Sequence, residues 1–214
     1  KNLEDSLRRL QTDYIDIYYT HWQTPDFALY PLEETVGVLT ELKKEGKIRA
    51  IGASNVTEDI IKGYCSLGQL DVIQEKYSIL DSHIRSELAQ VCEENKVSIQ
   101  AYSPLEQGLL TGKVKADVKL TKGDVRNRNR FFSPENLPKV MRLLEHWKPL
   151  CLKYNCTMSN LVIACTAKTI DGLHVLCGAR KPEQIRDNSG ALLLTLEQSD
   201  IDRMLEDVKN EGLS

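Results

Sequence analysis

The stretch LEETVGVLTELKKEGKIRAIGASN, residues 32–55, decides how this sequence reads. Leu32, Val36, Leu39 and Leu42 recur at helical spacing as far as Glu45, and Gly46 is the residue type that most readily ends a helix. Residues 48–52 then read as a buried strand, and Ser54-Asn55 sets two hydrogen-bonding side chains just past its C-terminal end. Helix, stop, strand and polar tip together make one unit of a parallel α/β fold.

The unit recurs in both directions. Ahead of it, Leu3, Leu7 and Leu10 mark an amphipathic helix, and the Ile/Tyr run of residues 14–19 marks a strand. Behind it, a helix over 57–67 with Gly68 as its stop precedes a strand at 72–73, and a helix over 84–95 precedes a strand over 97–102. A segment rich in Gly, Lys, Arg and Asn fills 105–137. Two helical stretches then lead to a short strand at 175–176, followed by helices near 182–192 and 196–208. Five such strands, separated by helices, predict a parallel sheet with right-handed crossovers. Neither GxGxxG nor GxxxxGK[ST] occurs, which favours a barrel over a Rossmann fold.

The 214 residues can bury one sizeable core, yet fall short of the roughly 250 usual for a closed (β/α)8 barrel. The chain also opens without Met, inside what reads as a helix. The expectation is therefore a single domain over 1–214 that is an incomplete TIM barrel, with about five of eight strands and the N-terminal ones missing. A composition of 41% apolar and 28% charged residues excludes a disordered chain. A net charge of -3 with interspersed signs gives no broad basic face, so no nucleic-acid partner is expected and any anion site must be local. Cys65, Cys92, Cys151, Cys156, Cys165 and Cys177 follow no metal spacing; no metal is expected, and a reducing, cytoplasmic setting suits them. No apolar run would span a bilayer and no signal peptide opens the chain, so no membrane partner is expected.

In parallel α/β folds the ligand site gathers at the C-terminal ends of the strands. Those ends carry Thr20-His21-Trp22, Ser54-Asn55, Gln74-Glu75-Lys76-Tyr77, Tyr102-Ser103-Pro104-Leu105 and Gly178-Ala179-Arg180-Lys181. Singly, each has an ordinary explanation: Ser54-Asn55 as a helix cap, His21 as a structural residue, Arg180-Lys181 as a solvated pair. Stability alone does not require all five at one rim to be polar or aromatic.

Five segments carry a resemblance: SLRRLQTDYIDIYYTHW (6–22), ELKKEGKIRAIGASN (41–55), DVIQEKYSIL (71–80), AYSPLEQGLLTGK (101–113) and GARKPEQIRDNSGAL (178–192). In order and spacing they resemble the aldo/keto reductases, particularly the bacterial-type branch and the related potassium-channel beta subunits. The resemblance implies an aldo/keto reductase barrel that binds NADP(H) and a small carbonyl substrate. His21 matches the histidine that hydrogen-bonds the substrate carbonyl and steadies developing alkoxide charge, and Trp22 would line the substrate pocket. Ser54, Asn55 and Gln74 look like the trio that holds the nicotinamide carboxamide. Tyr102 matches the aromatic that stacks on the nicotinamide ring, with a core tyrosine as the alternative.

The segment Ser103, Pro104, Leu105, Gly108, Leu110, Gly112 and Lys113 resembles the loop over the pyrophosphate, its glycines admitting close backbone and Lys113 supplying charge. From Gly178 through Ala179 to Asn188, the resemblance has Gly178 turning the chain tightly out of the last strand. Arg180 and Lys181 would grip an adenosine 2'-phosphate, favouring NADP over NAD, and Gln184 and Asn188 would face the adenine side at i, i+4 spacing. Cys177 stands where proline is frequent in the family, and Cys165 where tryptophan is common. Residues 126–132 either fold over the cofactor or are solvated, and Phe131 and Phe132, with Trp22, are candidates for shaping the substrate pocket.

The family's proton donor is a tyrosine whose pKa is lowered by a lysine; with an aspartate, both belong to strands ahead of Lys1, so the resemblance implies that this sequence lacks them. Tyr19 is no substitute, lying roughly 6.6 Å deeper than His21, while Tyr14 and Tyr18 face the other way. Open barrel edges would invite pairing with another copy of the chain. The expected activity is hydride transfer between NADP(H) and an aldehyde or ketone, with this chain inactive on its own. The two alternatives are a truncated paralogue that acts as a catalytically inactive NADP-binding or interaction module, and an unrelated phosphate-binding barrel.

Overall fold

Helix and strand alternate along the computed structural model, which describes residues 2–24, 26, 28–82, 84 and 87–213. In chain order the elements are α1 (Asn2–Leu10), β1 (Ile15–Thr20), α2 (Leu32–Lys44), β2 (Ile48–Ser54), α3 (Glu58–Leu67), β3 (Val72–Lys76), α4 (Ala89–Asn95) and β4 (Ser98–Tyr102). There follow α5 (Leu137–Lys153), α6 (Met158–Thr166), β5 (His174–Leu176), α7 (Pro182–Ser189) and α8 (Gln198–Asn210). The strands lie in chain order, β1-β2-β3-β4-β5, the α/β arrangement of five parallel strands that the repeating unit predicts. Of the helix expected over 84–95, Arg85 and Ser86 lie outside the described residues, as does Lys1 at the expected opening helix. Among the described residues no helix is long and apolar enough to cross a membrane.

The chain divides into two compact units: Lys1–Glu75 with Ser86–Gln100, and Lys76–Arg85 with Ala101–Ser214. In the first, α1 turns Leu3 and Leu7 inward while Leu10 stays 63% exposed, so only two of the three leucines at helical spacing serve the core. Val36 and Leu39 of α2 are buried, and Ile48, Ile51, Ile61, Val72, Ile73, Val91 and Ile99 complete a core of largely β-branched strand residues. Parallel pairing sets Tyr19 opposite Gly52 and Ser54 opposite Gln74. Gly52 is required by space: a Cβ there would lie 2.4 Å from Cδ1 and 2.5 Å from Cε1 of Tyr19.

The second unit is built around Leu143, Leu144, Trp147, Leu161, Val162, Ile201 and Met204, and Trp147 Nε1 donates to Asp207 Oδ2 at 3.0 Å. Short 3-10 turns form within the 105–137 segment at Glu106–Thr111, Val125–Arg128 and Arg130–Phe132, the last two with polar side-chain caps. Asp124 Oδ1 accepts from Arg126 N, and Asn129 Oδ1 from Phe131 N, both at 3.0 Å. These turns drive Phe131 and Phe132 into the core, at 0% and 9% exposure, which corrects the expectation that they shape a substrate pocket. Arg126 is held by Asp124 through both guanidinium and backbone. Thr157 Oγ1 accepts from Asn160 N and Asn160 Oδ1 from Thr157 N, a reciprocal cap for the buried helix α6. Helix α7 stops at Ser189, short of the expected 192, and a 3-10 turn over Gly190–Leu193 follows.

Candidate functional site

In the first unit the tips of β1 and β2 are tied to the middle of β3, because β3 runs on to Lys76 and so contains Gln74, which the sequence places just past a strand at 72–73. Asn55, in the left-handed conformation at φ 57°, donates from Nδ2 to the His21 carbonyl at 2.9 Å and lies 3.2 Å from Ser54 Oγ. Ser54 Oγ in turn donates to the Gln74 carbonyl at 2.6 Å. Asparagine is among the few side chains that tolerate that backbone, so this tip positions its amide at little conformational cost. The N-cap position of helix α3 is Thr57, which makes no side-chain capping bond, so Ser54-Asn55 lies ahead of the cap position. His21 and Trp22 are both exposed beyond β1, their ring centroids 6.2 Å apart.

Beneath the tips runs a second layer that sequence reasoning missed. Gln23 Nε2 donates to Thr20 Oγ1 at 3.1 Å and to the Ser54 carbonyl at 3.3 Å, and Tyr64 OH lies 2.9 Å from Thr20 Oγ1. Tyr19 OH donates to Gln100 Oε1 at 2.6 Å, and Gln74 Nε2 reaches the same oxygen at 3.4 Å. Glu75, buried on the opposite face of β3, accepts from Val56 N at 2.8 Å and anchors the chain after Asn55. Burial pushes the Tyr19 phenol above its ordinary value, with a hydrogen bond from Gln74 opposing only in part. A proton donor at neutral pH needs the opposite shift, so Tyr19 is unsuited to that task.

In the second unit the Tyr102 carbonyl accepts from Tyr77 N at 3.1 Å, and the chain then turns through strained backbone. Ser103, Glu106 and Gln107 have φ of 59°, 45° and 55°, and Gly108 and Gly112 of 92° and 72°. Three non-glycine residues in the left-handed region within five positions cost on the order of 1 kcal/mol or more each, a concentration typical of binding loops. Pro104 is buried, Leu105 half-buried, and Leu110 fully buried in the core, so Leu110 can offer a ligand only its backbone.

Lys113 Nζ lies 3.7 Å from Asp187 Oδ2, which brings the loop's end to α7. Asp187 also accepts from Thr157 Oγ1 at 3.1 Å. Gln184 Oε1 accepts from the backbone N–H groups of Arg180 and Lys181 at 2.7 and 3.1 Å, so its amide is engaged in shaping the start of α7. Ala179, Arg180 and Lys181 are exposed, Asn188 is half-buried, and neither cation has a carboxylate within 4.0 Å among the described residues. Gly178 does not adopt a left-handed φ, and a Cβ there would meet nothing within 4 Å; the turn itself does not demand glycine.

Parallel strands with polar C-terminal tips define an α/β protein of the kind in which ligands gather at strand ends and the loops that follow them. The chain matches the aldo/keto reductase family over residues 1–208 and belongs to it. It is 49% identical over 201 residues to the NADH-specific methylglyoxal reductase of Escherichia coli strain K12, covering 94% of this chain and 61% of that protein. With aldo-keto reductase YhdN of Bacillus subtilis strain 168 it shares 32% over 210 residues, 96% of this chain and 62% of the relative. The solved glycerol dehydrogenase AKR11B4 from Gluconobacter oxydans superposes with a TM-score of 0.89 at 26% identity, over 97% of this chain and 62% of that one. The chain thus spans about three-fifths of the length of the relatives it matches.

Proposed function

We propose that this chain provides the cofactor site and the carbonyl-polarising histidine of an aldo/keto reductase that moves hydride between NADP(H) and an aldehyde or ketone, with residues 1–214 all lying within a single such domain of a cytoplasmic protein. The observation that carries the reading is the hydrogen-bonded run from the His21 carbonyl through Asn55 and Ser54 to Gln74, joining the tips of β1 and β2 to the middle of β3. A carboxamide presents N–H donors and a carbonyl acceptor, and the amides of Asn55 and Gln74 carry both complements. Ser54 fixes the Gln74 backbone, and Gln100 holds the Gln74 side chain from below. The nicotinamide, when bound, supplies the hydride. His21 offers an N–H to the substrate oxygen, where negative charge builds, and exposed Trp22 gives the site an apolar wall.

In the second unit, backbone N–H groups around Gly108 and Gly112, with the Lys113 ammonium, suit a pyrophosphate. Arg180 and Lys181, free of carboxylate partners among the described residues, suit a 2'-phosphate and favour NADPH. The name of the Escherichia coli relative favours NADH instead, so the preference is a ratio to be measured. Its 2-oxoaldehyde is the first substrate to try. The test is consumption of NADPH and NADH by the whole protein with methylglyoxal and simple aldehydes, beside His21→Ala. Turnover that His21→Ala slows supports the reading; saturable cofactor binding with no consumption across the aldehydes establishes a binding module instead.

A further inference from the structure

Helix α5 ends in a turn that sets two cysteines against each other. Asn155 takes the left-handed backbone at φ 46°, its N–H donates to the Leu152 carbonyl at 3.2 Å, and the Cys156 N–H donates to the Cys151 carbonyl at 3.0 Å. This pair of bonds is the Schellman motif, in which the side chains at the two ends of the longer loop meet, usually as an apolar contact. Here both are thiols. We propose that Cys151 and Cys156 form a redox modification site, which a hydroperoxide closes into a reversible disulfide that locks the joint between α5 and α6.

The backbone already sets the reach a disulfide needs. With 3.0 Å between the Cys156 nitrogen and the Cys151 oxygen, the two Cα atoms lie at most roughly 6.9 Å apart even if every link were straight. Any bend brings them within the span of about 4.4–6.8 Å that disulfides bridge. The sulfurs also face one another, since the Cys151 thiol is hydrogen-bonded to Cys156. Both residues are half-buried and pack against the core of the second unit, so a molecule as small as a peroxide can reach them. Cys165, by contrast, is fully buried in α6. Between Lys153, where α5 ends, and Met158, where α6 begins, the turn and the Thr157 cap are the whole connection, so one bond across it fixes both helix ends.

The two thiols take different parts. Burial pushes both up, Cys151 to about 11, and the hydrogen bond between them adds to the rise at Cys151 while opposing it at Cys156. Cys156 is therefore the one that ionises more readily and attacks. Its sulfur takes one peroxide oxygen as the O–O bond breaks, giving a sulfenic acid and releasing water. Cys151 sulfur then attacks Cys156 sulfur; the S–O bond breaks, the S–S bond forms, and the Cys151 proton leaves with the oxygen as a second water. Two thiols lose two electrons and one hydrogen peroxide gains them.

The experiment treats the whole reduced protein with hydrogen peroxide under native conditions, alkylates what remains free, and digests with trypsin without reductant. Lys153 lies between the two cysteines, so the disulfide should hold peptides 143–153 and 154–168 together until dithiothreitol separates them. The oxidised protein should also have a higher urea midpoint than the reduced one, because a bond that fits the native turn stabilises it, and dithiothreitol should return the midpoint to its starting value. Cys156→Ser should abolish both effects. The proposal is overturned if the peptides come apart without reductant, with Cys156 carried on to a sulfinic acid beside a free Cys151. A link that persists in Cys156→Ser, which would assign it to Cys165, overturns it too, as does a midpoint that falls on oxidation or does not respond to dithiothreitol. The linkage is read on wild type, so it decides the question even if the serine variant fails to fold.

Discussion

Replacing Gly52 by alanine should destabilise the protein by about 1–3 kcal/mol, the usual cost of forcing a methyl group into an occupied space. The added Cβ would lie 2.4 to 2.9 Å from three atoms of the Tyr19 ring, well inside the 3.5–4.0 Å of a favourable carbon contact. The ring cannot simply swing aside, because its hydroxyl donates to Gln100 Oε1 at 2.6 Å. Gly37 provides the control: it is exposed on α2, and a Cβ there meets nothing within 4 Å. The same substitution at 37 should therefore stabilise by roughly 0.5–1 kcal/mol, the helix-propensity gain of alanine over glycine. Urea midpoints at constant m-value measure both, and in a Tyr19→Ala background the Gly52→Ala penalty should shrink. Because Tyr19, Gln100 and Gln74 are joined, Gly52→Ala should also weaken NADPH binding. Equal effects at positions 37 and 52, or a penalty untouched by removing the Tyr19 ring, would refute this account of the first unit.

Other perturbations test the rest. Arg180→Ala should weaken NADPH by roughly tenfold, the lower end for a hydrogen bond to a charged group because Arg180 is exposed, and alter NADH less than about threefold; equal losses for both would remove the 2'-phosphate assignment. Hydrogen bonds from Arg126, Lys153 and Arg142 hold the carboxyls of Asp124, Asp200 and Glu211 below their ordinary values, Asp124 at about 2. Since these folded values lie below the unfolded ones of about 3.9–4.3, the stabilisation is complete above about pH 5 and is lost as pH falls through the folded values. Tryptophan emission against pH should show an acid transition that Asp124→Asn makes shallower; superimposable curves would contradict it. Burial holds the thiols of Cys92 and Cys165 at about 12 and of Cys151 at about 11, so iodoacetamide at neutral pH should leave these three unmodified until the chain unfolds, as peptide mapping would show.

The features legible in the sequence were those governed by local periodicity and chain direction. Helical spacing followed by a buried run found β1 to β5 to within a few residues, and the direction of a parallel strand pointed to Ser54 and Asn55 as a tip, while Gln74, expected past the end of a strand at 72–73, lies inside β3. What stayed hidden depends on partners distant in sequence. Gln100 sits mid-strand in β4 and acquires meaning only when a tyrosine from β1 and a glutamine from β3 reach it. Gln23 and Tyr64 meet Thr20 for the same reason, and only strand register reveals why position 52 is glycine. The 105–137 segment misled in the other direction: its Gly, Asn and charged residues read as loop, yet Asp124 and Asn129 cap turns that bury Phe131 and Phe132. Leu110 matched a cofactor motif while serving the core, because a motif specifies backbone path as well as side chains.

The central claim is that the tips of β1 and β2 and Gln74 of β3 form a nicotinamide site, and the most direct measurement is NADPH titration of the whole protein against its Gln74→Leu variant. Gln74→Leu keeps the side-chain bulk and removes the amide, so wild type should bind saturably and the variant about five- to tenfold more weakly, the value of one or two hydrogen bonds. No saturable binding by wild type, or equal affinity in the variant, would contradict it.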